Sequence, residues 1–171
     1  MPSVSDIKTA VLGGGKPVDK PILAGEVHAL WNFLTLRYLY LEMTDIFKNY
    51  IKDIDFKQLA SRSVSATLNK QIQTVEALLK DYGLAIPPKP PFGINTAVNA
   101  EAMRDEMMYR LILVGVQYFI ETHAETLRMM SSDGLRNLFM GWMKEELTIF
   151  DDLVKYGKIK GWYWGAPAYQ H

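Results

Sequence analysis

The sequence predicts an all-α fold, a four-helix bundle of two antiparallel hairpins joined by a long Pro-rich crossover. Two observations carry this. Four segments repeat apolar residues at steps of three and four, the period of a helix with one buried face. Between the second and third lies the stretch 83–96, in which Pro87, Pro88, Pro90 and Pro91 exclude both helix and interior strand. In polyproline geometry at ~3.1 Å per residue, about a dozen residues span ~37 Å. The helix before it, about 27 residues at ~1.5 Å each, is ~40 Å long. The spacer can therefore run back along the whole helix it leaves, so that the second and third helices point the same way. One full-length crossover is the wiring of ferritin-like bundles, not of an up-down-up-down bundle.

Composition narrows the classes of function. The chain has 171 residues, 49% of them hydrophobic, enough for one domain with a real core. Lys plus Arg and Asp plus Glu are 19 each, so no long-range field recruits nucleic acid or an anionic membrane. The absence of cysteine excludes disulfides, thiolate zinc sites and cysteine nucleophiles. No signal-peptide pattern or long apolar run is present, which leads to the expectation of a soluble chain made in the cytoplasm.

Residues 1–22, with Gly13-Gly14-Gly15, Pro2 and Pro17, read as a loose leader, and the bundle is expected over 23–157. The first helix should start between Asp19 and Gly25 and reach Lys52, on the repeat Val27, Trp31, Leu34, Tyr38, Leu41. Phe33, Leu36, Tyr40, Met43 and Phe47 make its other side apolar too, so it is central or is covered by another segment or a second subunit. Asp55 and Gln58 form a capping box for the second helix. Its stripe is Leu59, Val64, Leu68, Ile72, Val75, Leu79 and Tyr82, with Gly83 as the left-handed stop.

The third helix should open near Thr96 to Asn99 and run to about Met130 on Met103, Met107, Leu111, Val114, Tyr118 and Phe119. Gly115 inside it points to a close helix contact. Ser131-Ser132-Asp133 caps the fourth helix, which carries Leu135, Phe139, Trp142, Ile149, Leu153 and Tyr156 and should end at Gly157. The tail 158–171, with Trp162-Tyr163-Trp164, should pack on the bundle or on a partner.

Ferritin-type wiring raises the question of a di-metal centre, which needs Glu-x-x-His pairs on two helices. None occurs. Glu26-Val27-His28 and Glu121-Thr122-His123 are the nearest approaches, and a two-residue step turns those side chains ~200° apart. His28 and His123 are left as weak candidates for an accidental metal, near Glu125 or Glu76, against the plainer reading of capped or solvated histidines. Arg37, Tyr38, Glu121 and Glu146 fall inside or beside the apolar stripes. They are read as a buried polar layer that fixes helix register, with acid–base chemistry as the alternative. No nucleophile, phosphate loop or metal pattern accompanies them, so no enzyme and no cofactor is expected. The methionines at 103, 107, 108, 129, 130, 140 and 143 read as core filler.

Leu30-Trp31 with Arg37-Tyr38, the exit from Tyr82-Gly83 through Pro87 to Pro90-Pro91, Leu135-Arg136 with Phe139, and Lys160-Gly161-Trp162 with Pro167 together resemble the ferritin-like proteins related to spore coat protein F. The resemblance spans about Gly25 to Pro167 and implies a spore coat component with no assigned catalytic site, so it transfers no functional residue. Relatives often carry the bundle twice, whereas this chain has one copy, and Ala166-Pro167 stands where they have Pro-Pro. The single copy points to a homodimer. The expectation is a non-enzymatic structural protein that partners itself or other coat proteins. A metal- or small-ligand-binding bundle using Glu121, Glu146 and a histidine is the alternative. A lipid carrier would need an open apolar cavity instead.

Overall fold

The computed structural model describes residues 21–90 and 101–165. The leader 1–20, the second half of the expected crossover and the tail from Ala166 lie outside them. Four helices make a bundle: α1 (Ala24–Tyr50), α2 (54–81), α3 (Asp105–Met129) and α4 (Asp133–Lys160). Among the described residues there is no strand, and no helix is long and apolar enough to cross a membrane.

Carboxylates that accept backbone N–H groups fix which ends of the helices meet. Glu26 on α1 accepts from Ser131 N at 2.8 Å and Ser132 N at 3.0 Å, so α1 begins beside the α3–α4 turn. At the opposite end Asp105 accepts from Lys52 N at 3.0 Å and Asp53 N at 2.7 Å, placing the start of α3 at the α1–α2 turn. Helices α1 and α3 are therefore antiparallel, and α2 and α3 start at the same end. The end of α2 and the start of α3 therefore lie at opposite ends of the bundle, and residues 82–90 are the first described part of the link between them. Over the described part of that link, Lys89 Nζ returns to Glu76 Oε2 at 2.9 Å, more than a turn back along α2.

The α2 cap is Asp53, not Asp55. Its carboxylate accepts from Phe56 N at 2.9 Å, Tyr156 OH at 2.8 Å and Lys160 Nζ at 2.7 Å, a set available only to the residue that faces α4. Burial opposes its ionisation, but Lys160, the Phe56 amide and Tyr156 outweigh that and hold its pKa at about 2. Helix α2 is continuous but not uniform: Ile54–Leu59 and Ala66–Asp81 are α-helical, and Ala60–Ser65 is a π-helix. It ends as expected, with Gly83 at φ +68° and Leu84 N bonded to Leu79 O at 2.8 Å.

Two further boundaries differ from expectation. Helix α3 begins at Asp105, later than the Thr96 to Asn99 cap, because Asp105 is held by the α1–α2 turn. Helix α4 passes through Gly157 and stops at Gly161, which takes φ +71°. Trp162 then packs on Phe56, Tyr109 and Tyr156, with ring centroids 5.8–5.9 Å away, so this part of the tail docks on its own bundle.

The core is built from Leu30, Phe33 and Leu34 of α1, Phe56 and Leu79 of α2, Met108, Ile112 and Phe119 of α3, and Leu135, Phe139 and Leu153 of α4. On α3 the expected stripe is right at Phe119 and partly at Met103 and Met107, which pack against the core, and wrong between them. Leu111, Val114 and Tyr118 are exposed, and the buried row is Met108, Ile112, Gly115, Phe119 and Thr122. The methionines divide likewise: Met108 and Met130 are buried, Met129 and Met140 exposed.

Two glycines are seats for tyrosine rings. A Cβ on Gly115 would run into the ring of Tyr40, so this glycine makes room for a side chain and not for the backbone of a crossing helix. One on Gly157 would lie 1.9 Å from the Tyr109 hydroxyl, which donates to Leu153 O at 2.9 Å. Helix propensity alone favours alanine at 157 by up to ~1 kcal/mol. Because Tyr109 is fully buried, Gly157→Ala should instead destabilise the fold by about 1–3 kcal/mol in urea unfolding.

Candidate functional site

Midway along the bundle a charged cluster sits among aromatic rings. Arg37 of α1 donates through Nη2 to Glu146 Oε2 of α4 at 2.7 Å and to His123 Nε2 of α3 at 2.8 Å. His123 Nε2 and Glu146 Oε2 are 3.4 Å apart. The side chains are 0–3% exposed. Because Arg37 donates to it, Nε2 of His123 is the acceptor, which puts the proton of the neutral ring on Nδ1. The guanidinium carbon lies 3.7 Å from the Phe119 ring centroid and 4.9 Å from that of Phe33, so the cation also rests on π faces.

Burial is the dominant influence on all three groups. It pushes Arg37 down, against the pull of Glu146. Burial and the charge of Arg37 keep His123 below 6.5, although Glu146 acts the other way. Burial would raise Glu146, but the bond and the positive charge of Arg37 hold it below 4.5. The result is an ion pair with a neutral imidazole, three helices joined by one guanidinium. With its side chains 0–3% exposed, the cluster ties the register of three helices together.

The expected polar layer is thus half assembled. Arg37 and Glu146 meet as read. Tyr38 turns away, donating to Glu76 Oε1 on α2 at 2.7 Å, and Lys89 completes that pair from the link segment at 2.8 Å. Glu121 is exposed, because it continues the outer row of α3 and not the inner one. Of the weak metal candidates, His28 is exposed near the start of α1, whereas His123 is buried at mid-bundle, so the two do not converge. Among the described residues no group of three or more His, Asp and Glu is placed to hold a metal ion.

Nothing in the sequence marks His123 as the partner of Arg37, although it follows Phe119 by one turn on the inner row. Glu76 and Gln71 fall on the α2 stripe in the same way. Gln71 is fully buried, and its amide has no hydrogen-bond partner. Glu26 carried no sequence signal beyond its place in the first turn of α1. Beside Arg37 and Glu146 is a cavity of about 10 Å³, room for about one water, lined also by Thr44, Thr67 and Gly115.

Comparison with known proteins places this geometry. A family model described as a protein of unknown function, DUF3231, matches residues 13–171. The "Uncharacterized protein YvdQ" of Bacillus subtilis (strain 168) is 31% identical over 77 residues, 45% of this chain and 45% of that protein. The matched part is thus less than half of that relative's length. A crystal structure from Bacillus halodurans C-125, named a "putative spore coat protein", has a TM-score of 0.81 and 21% identity, covering 91% of this chain and 100% of that one. At that identity the likeness shows the fold alone.

Arg37→Ala should lose about 3–5 kcal/mol of unfolding free energy, because it leaves Glu146 buried without its cation. Arg37→Leu combined with Glu146→Leu should lose markedly less, and equal losses in both proteins would exclude the paired-charge account. Stability should also fall on acidification in two stages. The depressed pKa of His123 makes the unfolded chain bind a proton the native state refuses, so loss begins as pH drops through 6.5. Glu26, Glu76 and Glu146, all held below 4.5, add a second loss as pH falls through that value. Urea midpoints measured across pH should show both stages, and His123→Gln should remove the first.

Proposed function

We propose that this chain, which belongs to the DUF3231 family of proteins of unknown function, is a non-enzymatic structural protein, a spore coat component that works through self-association. The observation that carries this reading is the closure of the mid-bundle cluster. Inside the bundle, where a ferritin-like protein would keep metal ligands, a guanidinium is bonded to a carboxylate and an imidazole, while Arg37 Nε and His123 Nδ1 are left without a hydrogen-bond partner. The fold shared with a protein named for the spore coat supports the same reading. So does the wiring: two hairpins, parallel α2 and α3, and a Pro-rich link over 83–96 that starts back along α2. We read this as ferritin-like architecture with a fixed organic cation in place of metal.

A second reading is favoured by the cavity beside Arg37 and Glu146, which would give a metal or small ligand a foothold. Elemental analysis of protein purified without an affinity tag separates the two. The structural reading expects iron, manganese and zinc far below one per chain, and a stoichiometric metal would overturn it. In a sporulating Bacillus, a fluorescent fusion should collect as a ring at the forespore surface. Uniform fluorescence through the mother cell would count against a coat role.

A further inference from the structure

The outer face of α3 carries a second regular row: Arg104, Met107, Leu111, Val114, Tyr118, Glu121 and Glu125, at alternating steps of three and four. Arg104 is the N-cap and the rest are helical. That alternation is the seam pattern of a helix that packs along its length on another helix. Beyond Met107, which packs partly against the core, it faces away from its own bundle. Val114 is 58% exposed and Leu111 and Tyr118 are each 43% exposed, while the parallel inner row of α3 is fully occupied by the core. Tyr118 stacks on Tyr40 of α1 at 6.5 Å. Among the described residues nothing covers it.

The chemistry of the row changes along its length, with a cation at the amino end, four apolar residues in the middle and two carboxylates at the carboxyl end. We propose that this row is the seam of a homodimer in which α3 packs antiparallel on α3 of a second copy, about a two-fold axis at Val114. That register puts Val114 beside its own counterpart, Leu111 beside the partner's Tyr118, Met107 beside the partner's Glu121, and Arg104 beside the partner's Glu125. A parallel pairing would set Arg104 on Arg104 and Glu121 on Glu121, and would align the helix dipoles unfavourably. Each ionic pair occurs twice, once on either side of the axis, as an isologous interface requires. The apolar centre supplies the affinity, and the flanking charges set direction and register.

The seam rests on the self-association reading above, and the test separates the two. About 31 Å of helix, at ~1.5 Å per residue, lies between Arg104 and Glu125 of one chain, so any coupling between them must cross between copies. Sedimentation equilibrium of the full chain should give a dimer. Val114→Glu should give a monomer with an unchanged far-ultraviolet helical spectrum. Arg104→Glu and Glu125→Arg should each weaken dimerisation by roughly tenfold, and the two together should restore it. A dimer that survives Val114→Glu, or charge reversals without mutual rescue, would overturn the seam and leave self-association through another face. A wild-type chain monomeric at the highest soluble concentration would overturn both. The same holds if that monomer loses stability on Val114→Glu, since a segment of the chain itself would then cover the row.

Discussion

The interior of this bundle contains a charge that cannot be removed. A guanidinium stays protonated even when buried, so Arg37 must find an anion and further acceptors inside the core or the helices cannot close around it. It finds Glu146 on α4 and His123 on α3, with the ring of Phe119 beneath. Only one rotation and one height of each helix bring those atoms within hydrogen-bond reach. Apolar packing, which tolerates sliding, supplies most of the stability. The ion pair selects one arrangement among those packing would accept.

The same logic recurs at both ends with carboxylates in place of the cation. Glu26 gathers the amides of Leu23, Ser131 and Ser132, and burial, which would raise its pKa, is outweighed by those donors. Asp53 and Asp105 do the equivalent where α1, α2 and α3 meet. Tyrosines seated on Gly115 and Gly157 add steric stops that a side chain at either position would remove. Polar contacts thus define where the helices lie, while Leu, Ile and Phe fill the space between.

The existence, order and approximate length of the four helices were legible in the sequence, because a buried face imposes a period that few other structures share. The α2 and α4 stripes followed from it, and so did a buried layer containing Arg37 and Glu146, though not the choice of Glu146 over Glu121 as the partner. What was not legible turned on tertiary contacts. Asp53 and Asp55 are both plausible caps by local pattern, and the reach of Tyr156 and Lys160 decides between them. Helix α3 has two apolar rows. Periodicity identifies rows but not which one turns inward, and this one ambiguity misplaced Leu111, Val114, Tyr118 and Glu121 and hid His123. The π-helix left only a faint trace, the five-residue step from Leu59 to Val64 in an otherwise three- and four-residue repeat.

The contact made by Glu26 bears on how the chain folds. Its first partner in the α3–α4 turn, Ser131, is 105 residues away, yet it shares one carboxylate with the Leu23 amide at the start of α1. The start of α1 therefore reaches its final hydrogen bonding only after the far hairpin has turned and docked. Closure of a loop that long comes late and slowly, because its entropy is lost before the contact is made. The two hairpins are accordingly not independent modules stitched by a spacer: the amino-terminal helix is completed by the carboxyl-terminal turn, and the bundle gains and loses its order as one cooperative unit.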